Sequence, residues 1–228
     1  AVAECKGKIP VIAGTGSNST VEAVELSMYA EKSGADGLLV VTPYYNKPTQ
    51  EGLYQHYKKI NDNVGIPIII YNIPSRSVID MTVDTMSRLF ELKNIVGVKD
   101  ATGNLNRVDE QLKTMGKDFI QLTGEDNNAF EFNQRGGVGC ISVTANVAAK
   151  LCAEFQIATK KDAEKAKNIN NILTPLHKAL FIESNPSPVK YAASLLGLSS
   201  EEVRLPLVSL MDKTKKEVEK ALKVTKLL

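Results

Sequence analysis

A lysine at the end of an apolar run is the first residue of this sequence that could do covalent chemistry. Lys99 closes the segment Ile95-Val96-Gly97-Val98-Lys99, so it is predicted to lie at the carboxyl end of a buried strand. Burial there would favour the unprotonated amine, which can attack a ketone to give a Schiff base. A lysine whose stem covers apolar surface while its ammonium reaches water is the alternative, and Lys99 considered alone favours it.

Tyr71 shifts the interpretation of Lys99 toward Schiff-base chemistry. It ends the preceding apolar run, Ile68-Ile69-Ile70, and neighbouring parallel strands would place it beside Lys99. A phenol at that position can carry protons to and from a carbinolamine. The alternative is a tyrosine with its ring in the core and its hydroxyl bonded locally. The pair is therefore more informative than either residue.

Three further polar residues follow the predicted strands. Arg76 belongs to the proline-containing turn Asn72-Ile73-Pro74-Ser75-Arg76, where a guanidinium could bind a substrate carboxylate through two hydrogen bonds or remain solvated. Tyr44 and Tyr45 lie on another strand-to-helix loop, where adjacent tyrosines serve either a site or an interface. For Arg76, carboxylate binding and a solvated position both stay open. For Tyr44 and Tyr45, a site and an interface both stay open.

Short β-branched runs alternate with longer amphipathic segments, which is typical of strand-helix units around a parallel sheet. The predicted strands cover residues 9–14, 37–42, 67–72, 95–100, 119–124 and 139–143. The predicted helices cover residues 20–33, 49–61, 82–92, 107–115, 127–134 and 147–158, with Ser19, Thr49 and Asn127 as polar caps. Either a barrel or an open doubly wound sheet fits this pattern, and both place the active site at the carboxyl ends of the strands.

The strand pattern stops near residue 160. Two or three helices rich in Lys, Glu, Ala and Leu are predicted beyond it, punctuated by Pro186 and Pro188. We therefore predict strand-helix units in residues 1–158 and a helical extension in residues 159–228.

Composition argues against several classes of function. The 28 basic and 26 acidic residues are nearly balanced and form no basic block, which argues against nucleic-acid binding. No apolar run is long enough to cross a membrane, and the three scattered cysteines fit a reducing, cytoplasmic compartment.

Motifs for nucleotides and metals are incomplete. Gly14-Thr15-Gly16 lacks the third glycine of a dinucleotide fingerprint, and there is no phosphate-binding loop that ends in Gly-Lys-Ser or Gly-Lys-Thr. Both histidines, His56 and His177, fall in helical patterns, which leaves little material for a zinc site or a histidine-based triad. Asp100, Glu125 and Asp126 could bind a metal, although hydrogen bonding or capping is the stronger expectation for each, so no metal site is predicted.

Several motifs together carry a resemblance that spans essentially the whole chain. The sequence resembles the dihydrodipicolinate synthase family, in the superfamily that includes N-acetylneuraminate lyase and 2-keto-3-deoxy sugar-acid aldolases. The motifs are Gly14-Thr15-Gly16-Ser17-Asn18, Pro43-Tyr44-Tyr45-Asn46, Tyr71-Asn72-Ile73-Pro74-Ser75-Arg76, Gly97-Val98-Lys99-Asp100-Ala101-Thr102, Thr123-Gly124-Glu125-Asp126 and Gly139-Cys140-Ile141-Ser142-Val143.

The resemblance implies a cofactor-free lyase of the diaminopimelate route to lysine. Lys99 would condense with pyruvate, and the resulting enamine would attack aspartate 4-semialdehyde. Tyr71 would relay protons, and Tyr45 would match a tyrosine that a neighbouring subunit inserts into the site. Arg76 would bind the carboxylate of the semialdehyde. Backbone groups near the Schiff base would come from Gly124 and Ile141.

The resemblance also implies a (β/α)8 barrel, of which this chain would contain six units. The sequence opens without Met in what resembles the tail of a helix, so we expect a fragment whose missing segment carries a Gly-Thr-Thr-Gly-Glu motif. Family members are commonly tetramers built from tight dimers, and many bind inhibitory lysine at positions that match Asn18, Glu22 and Tyr44. The alternatives are another pyruvate-dependent aldolase of the superfamily and a non-catalytic, truncated homologue.

Overall fold

The computed structural model describes residues 1–5 and 7–228 as an α/β fold. Each of the six predicted strands contains an observed one. The strands are β1 (Ile12–Gly14), β2 (Gly37–Val41), β3 (Ile68–Asn72), β4 (Ile95–Asp100), β5 (Ile120–Thr123) and β6 (Gly139–Cys140). The helices are α1 (Val2–Cys5), α2 (Thr20–Lys32), α3 (Gln50–Asn61), α4 (Pro74–Ser77), α5 (Val83–Phe90), α6 (Asn106–Met115), α7 (Ala129–Gln134), α8 (Ala149–Lys161), α9 (Ala163–Ala179), α10 (Ser187–Leu195) and α11 (Asp212–Val224).

The chain divides into two compact units. The first contains residues 1–124 and 135–138, and the second contains residues 125–134 and 139–228. In the first unit, β1 to β5 pair in chain order and all of the pairs are parallel. This confirms the predicted α/β class with a parallel sheet. The predicted boundary at residue 158 separates strand-helix units from a segment of helices alone, and it stays a prediction.

The two faces of the sheet in the first unit have different roles. Side chains alternate between the faces of a strand, and Leu38, Val40, Ile68, Ile70 and Val98 are fully buried in the core that α2, α3 and α5 help to form. Each such side chain stabilises the fold by roughly 1.5–3 kcal/mol. The alternating positions, among them Tyr71 and Lys99, lie on the opposite face, which we call the site face.

Two of the three predicted helix caps are confirmed. The Ser19 hydroxyl accepts a hydrogen bond from the Glu22 amide, and Thr49 does the same for Gly52 at 3.1 Å. The prediction for Asn127 is wrong, because this residue lies inside a 3-10 turn over Asp126–Asn128 that leads into α7. A residue wound into that turn does not have the extended backbone that a cap requires.

The second unit is mainly helical, and three helices follow α8, as predicted. Its core joins α9 and α11 through fully buried side chains that include Leu173, Leu176, Val218 and Leu222. Among residues 1–5 and 7–228, no helix is both long and apolar enough to cross a membrane.

His56 on α3 is a buried group whose titration should couple folding to pH. Its Nδ1 lies 2.9 Å from the Thr20 hydroxyl at the start of α2, and its Nε2 has no hydrogen-bond partner among the described residues. Burial lowers the pKa of His56 from 6.5 to about 4, because the charged imidazolium cannot be solvated there.

We expect His56 to destabilise the fold as the pH falls from 6.5 to 4. In that window the unfolded chain binds a proton that the folded chain does not, so this contribution to stability is complete above pH 6.5 and is lost below it. The loss is on the order of 3 kcal/mol. Urea unfolding at several pH values should therefore show a weaker acid dependence for His56→Asn than for the unmodified chain. Identical pH dependence in the two proteins would contradict the assignment.

Candidate active site

Lys99 and Tyr71 come together on the site face, as the sequence predicts. They are register partners in the β3–β4 pair, and the Lys99 Nζ lies 3.8 Å from the centroid of the Tyr71 ring. The amine thus lies over the ring face, an arrangement that attracts a cation. Both side chains are half-buried. The Lys99 amine and the Tyr71 ring are therefore in direct contact.

An irregularity in β4 puts Lys99 on this face. Ile68 pairs with Ile95, but the next residue, Ile69, pairs with Gly97, so β4 contains one extra residue at Val96. Ile95 belongs to the core, and in a regular strand the residue four positions later would point the same way. The bulge reverses the alternation, which directs Lys99 away from the core.

Two glycines make room for the chain around Lys99. A Cβ on Gly97 would lie 2.1 Å from the carbonyl oxygen of Ile120 on β5, so only glycine fits against that backbone. A Cβ on Gly124 would lie 2.9 Å from the Lys99 Cε. The Gly124 amide donates a hydrogen bond to the Asp100 carbonyl at 2.7 Å, so this N–H is already used inside the sheet.

An open cavity of about 360 Å³ adjoins Tyr71 on the site face. Its lining combines apolar strand residues with a few polar groups, which is the usual composition of a small-molecule site. Tyr44 and Arg76 both contribute to it. The lining residues are Gly14, Gly16, Leu39, Val41, Tyr44, Tyr71, Ile73, Arg76 and Ser77.

Tyr45 lies apart from this cavity lining. The residue is 86% exposed, and its backbone has a φ of +76°, in the left-handed region that few residues other than glycine adopt. The loop therefore turns the ring outward and holds neighbouring Tyr44 at the cavity. Within the first unit, Tyr45 is presented to the surroundings and not to Lys99.

The predicted lysine-site residues lie in the first unit, with Asn18 and Tyr44 on two loops and Glu22 in the first turn of α2. The Asn18 carbonyl accepts a hydrogen bond from the side-chain amide of Asn46 at 3.0 Å, which joins the loop after β1 to the loop after β2. Exposed Glu22 accepts a hydrogen bond from Ser17 at 2.7 Å. Tyr44 lies on the second of these loops. Ile141 belongs to the second unit, where it is half-buried directly after β6.

Two of the carboxylates considered for a metal site have hydrogen-bonding roles. Asp100 accepts hydrogen bonds from the amide and the hydroxyl of Thr102 and from Arg107. In the second unit, Asp126 accepts hydrogen bonds from the Ser142 hydroxyl and from the amides of Val143 and Thr144. Within the described part of the chain, no three His, Cys, Asp or Glu residues are grouped so that they could hold a metal ion.

The histidine of the second unit is also part of an internal network. The Nδ1 of His177 on α9 lies 2.7 Å from the Thr144 hydroxyl. Burial lowers the pKa of His177, and the nearby carboxylate of Asp126 partly opposes that shift. As predicted, both histidines are on helices, and neither is among the residues that line the cavity beside Tyr71.

The sequence reasoning missed Arg107 and Asp80. Arg107 on α6 donates hydrogen bonds to Asp100 and to the carbonyl of Met81, and Asp80 accepts one from Asn72. The sequence did contain a signal for such partners. Asn72 and Asp100 are polar residues in apolar strands, and buried polar groups need hydrogen-bond partners.

This chain is similar in sequence and in structure to proteins of one family. The family model described as "Dihydrodipicolinate synthetase family" matches residues 1–225. The 4-hydroxy-tetrahydrodipicolinate synthase of Pelagibacter ubique is 67% identical, over 100% of this chain and 79% of that protein. The crystal structure of dihydrodipicolinate synthase from Aquifex aeolicus has a TM-score of 0.97 at 45% identity, covering 99% of this chain and 78% of its own.

A third relative was solved with a ligand. The chloride-inhibited dihydrodipicolinate synthase from Acinetobacter baumannii, complexed with pyruvate, has a TM-score of 0.97 at 46% identity. The match covers 100% of this chain and 78% of that one. With the family model matching nearly every residue, this chain belongs to the dihydrodipicolinate synthetase family.

Proposed function

We propose that this chain has the activity for which its relatives are named, 4-hydroxy-tetrahydrodipicolinate synthase, and that it forms a Schiff base between Lys99 and pyruvate. The observation that carries this proposal is the contact between the Lys99 amine and the Tyr71 ring at the site face. Its identity of 67% to a synthase of that name supports the assignment of the reaction. The reaction belongs to the diaminopimelate route to lysine.

Lys99 acts as the nucleophile in this proposal. Its unprotonated amine attacks the ketone carbon of pyruvate to give a carbinolamine, which loses water to form the imine. Loss of a proton from the pyruvate methyl group then gives an enamine, which forms a carbon–carbon bond with the aldehyde carbon of aspartate 4-semialdehyde. The amine of the bound semialdehyde finally displaces Lys99 and closes the ring. Each step moves protons but needs no oxidant or reductant.

The other site residues bind and orient the reactants. Tyr71 relays protons to and from the carbinolamine from its position beside the amine. Arg76 at the cavity binds the carboxylate of the semialdehyde through its guanidinium. Because the Gly124 amide donates within the sheet, Gly124 contributes its carbonyl oxygen.

We further propose that the protein assembles as a homotetramer made of two tight dimers. The exposed ring of Tyr45 supports this, because it is available to a neighbouring subunit's site. In this assembly, Asn18, Glu22 and Tyr44 form the site that binds inhibitory lysine. Coverage of 79% of the Pelagibacter ubique protein supports six strand-helix units of an eight-unit barrel. The three cysteines, Cys5, Cys140 and Cys152, are widely spaced in the sequence, which supports a cytoplasmic location.

Borohydride trapping tests this proposal directly. The chain, and the same chain extended at its N-terminus, would be incubated with pyruvate, reduced with borohydride and analysed by intact mass and peptide mapping. We expect one pyruvate-derived group, located on Lys99, and no adduct when pyruvate is left out. The absence of an adduct from both forms would overturn the catalytic proposal in favour of a non-catalytic homologue.

A second measurement separates the synthase from the sugar-acid aldolases. Turnover of aspartate 4-semialdehyde with pyruvate would be compared with cleavage of 2-keto-3-deoxy sugar acids by the same preparation. We expect turnover only with the semialdehyde, because the proposed role of the Arg76 guanidinium is to bind the carboxylate of that substrate. Faster turnover of a sugar acid would assign the chain to the aldolase activity.

A further inference from the structure

The residues that follow Tyr71 and Lys99 form a buried polar pair behind the site face. Asn72 and Asp100 are register partners at the ends of β3 and β4, and both are buried. Because side chains alternate along a strand, they point toward the helices and away from the cavity. Each is therefore covalently attached to a site residue but belongs to the opposite face.

Arg107, in the first turn of α6, connects these two strand ends. Its side chain is 10% exposed, and its Nε donates a hydrogen bond to the Asp100 carboxylate at 3.1 Å. Its Nη2 donates to the Met81 carbonyl at 2.6 Å, and its Nη1 lies 3.4 Å from the Asp80 carboxylate. The planar fork of arginine can bind three acceptors in fixed directions, whereas lysine offers a single charged point.

The segment at Asp80 and Met81 completes the connection to β3. The Asn72 amide group donates to Asp80 at 2.7 Å, and its oxygen accepts from the Met81 amide at 3.1 Å. Arg107 thus contacts Asp100 directly and reaches Asn72 through Asp80 and Met81. One buried guanidinium holds the carboxyl ends of β3 and β4 at a single register.

That register matters because β4 carries the bulge at Val96. A strand with one extra residue can lose the irregularity by slipping one position, and a slip of one residue moves every side chain to the other face. The amino end of β4 has its own restraint, since Asn94 hydrogen bonds to Asn61 and accepts from the Ile68 amide at 2.7 Å. At the carboxyl end, Arg107 provides the corresponding restraint.

We propose that Arg107 is a positioning residue for the reaction of Lys99: by holding Asp100 and Asn72 on the helix side, it keeps Lys99 and Tyr71 paired on the site face. This inference rests on the proposed Schiff-base function. Arg107 thus has a role in the reaction although its side chain points away from the cavity. Asp80 and Met81 share that role.

The test compares rate constants for adduct formation in folded protein. Arg107→Met, Arg107→Lys and Asp80→Ala would be mixed with pyruvate and quenched with borohydride at successive times, in the form of the chain that gives an adduct. Asp80 has a half-exposed side chain, so Asp80→Ala keeps the test usable if Arg107→Met does not fold. Arg88→Met is the matched control, because it removes an arginine paired with Glu51 at 2.8 Å on the exposed side of α5.

We expect Arg107→Met to lower the rate constant at saturating pyruvate by about 10- to 100-fold, because a small displacement of a reacting group has effects of that size. Arg107→Lys should recover part of the loss, and Asp80→Ala should show a smaller loss. The pyruvate concentration for half-maximal rate should change less than the rate constant. Arg88→Met should leave both quantities within about 2-fold of their original values.

A purely structural role for Arg107 predicts a different result. It would reduce the amount of folded protein, and thus the final amount of adduct, while the rate constant of the folded fraction stayed unchanged. That result in the Arg107 variants, or in Asp80→Ala if they do not fold, would overturn this inference and leave the proposed function intact. Absence of any adduct from the unmodified chain would instead overturn the proposed function, and this inference with it.

Discussion

Replacing Lys99 with alanine should abolish the pyruvate adduct and lower synthase activity by at least ~10³-fold, because the variant lacks the amine that forms the covalent bond to pyruvate. Lys99 is the amine that contacts Tyr71 at the site face. Intact mass after borohydride reduction measures the adduct, and a coupled assay with aspartate 4-semialdehyde measures turnover.

Lys93→Ala is the matched control for this experiment. Lys93 is exposed and lies just before the amino end of β4, whereas Lys99 lies near the carboxyl end of that strand. Lys93→Ala removes the same type of side chain from an exposed position away from Tyr71, so adduct formation should stay at its original level. An adduct that persists in Lys99→Ala, or that disappears in Lys93→Ala, would show that the reactive lysine has been assigned wrongly.

Gly97→Ala should destabilise the fold by at least ~2 kcal/mol, because the new methyl group would overlap the backbone of the next strand. The Cβ would lie 2.1 Å from the Ile120 carbonyl oxygen and 2.8 Å from its carbonyl carbon. Backbone atoms cannot move aside as the end of a flexible side chain can. Such a loss is large against a total stability of about 5–15 kcal/mol. Urea unfolding followed by circular dichroism would measure it.

The same substitution should slow adduct formation in whatever protein remains folded. Gly97 directly follows the bulge and precedes Lys99 by two residues, so any shift of β4 away from β5 also moves the amine. Gly14→Ala provides the control for the stability measurement, because a Cβ there has no neighbour within 4 Å and its backbone needs no positive φ. We expect that variant to be as stable as the unmodified chain or up to ~1 kcal/mol more stable. Equal stability of the two variants would contradict the proposed close contact.

The sequence on its own predicted the parallel strand-helix alternation and the residues that could react. Continuous apolar runs such as Ile68-Ile69-Ile70, rich in β-branched residues, are typical of strands in a sheet covered on both faces, so the strands were recognisable without a structure. Because the carboxyl ends of parallel strands meet at one edge, Tyr71 and Lys99 could be expected there together. Polar caps at Ser19 and Thr49 marked helix starts because their signal is local.

The tertiary structure alone decided which face Lys99 occupies and what holds it there. The direction of a strand side chain depends on its register with the next strand, and a one-residue bulge at Val96 reverses that direction without a local sequence signal. The partners of Asp100 and Asn72 come from Arg107 and the segment at Asp80 and Met81, brought to the strand ends by folding. Local patterns determine which elements form, whereas contacts between elements determine the orientation of the reactive groups.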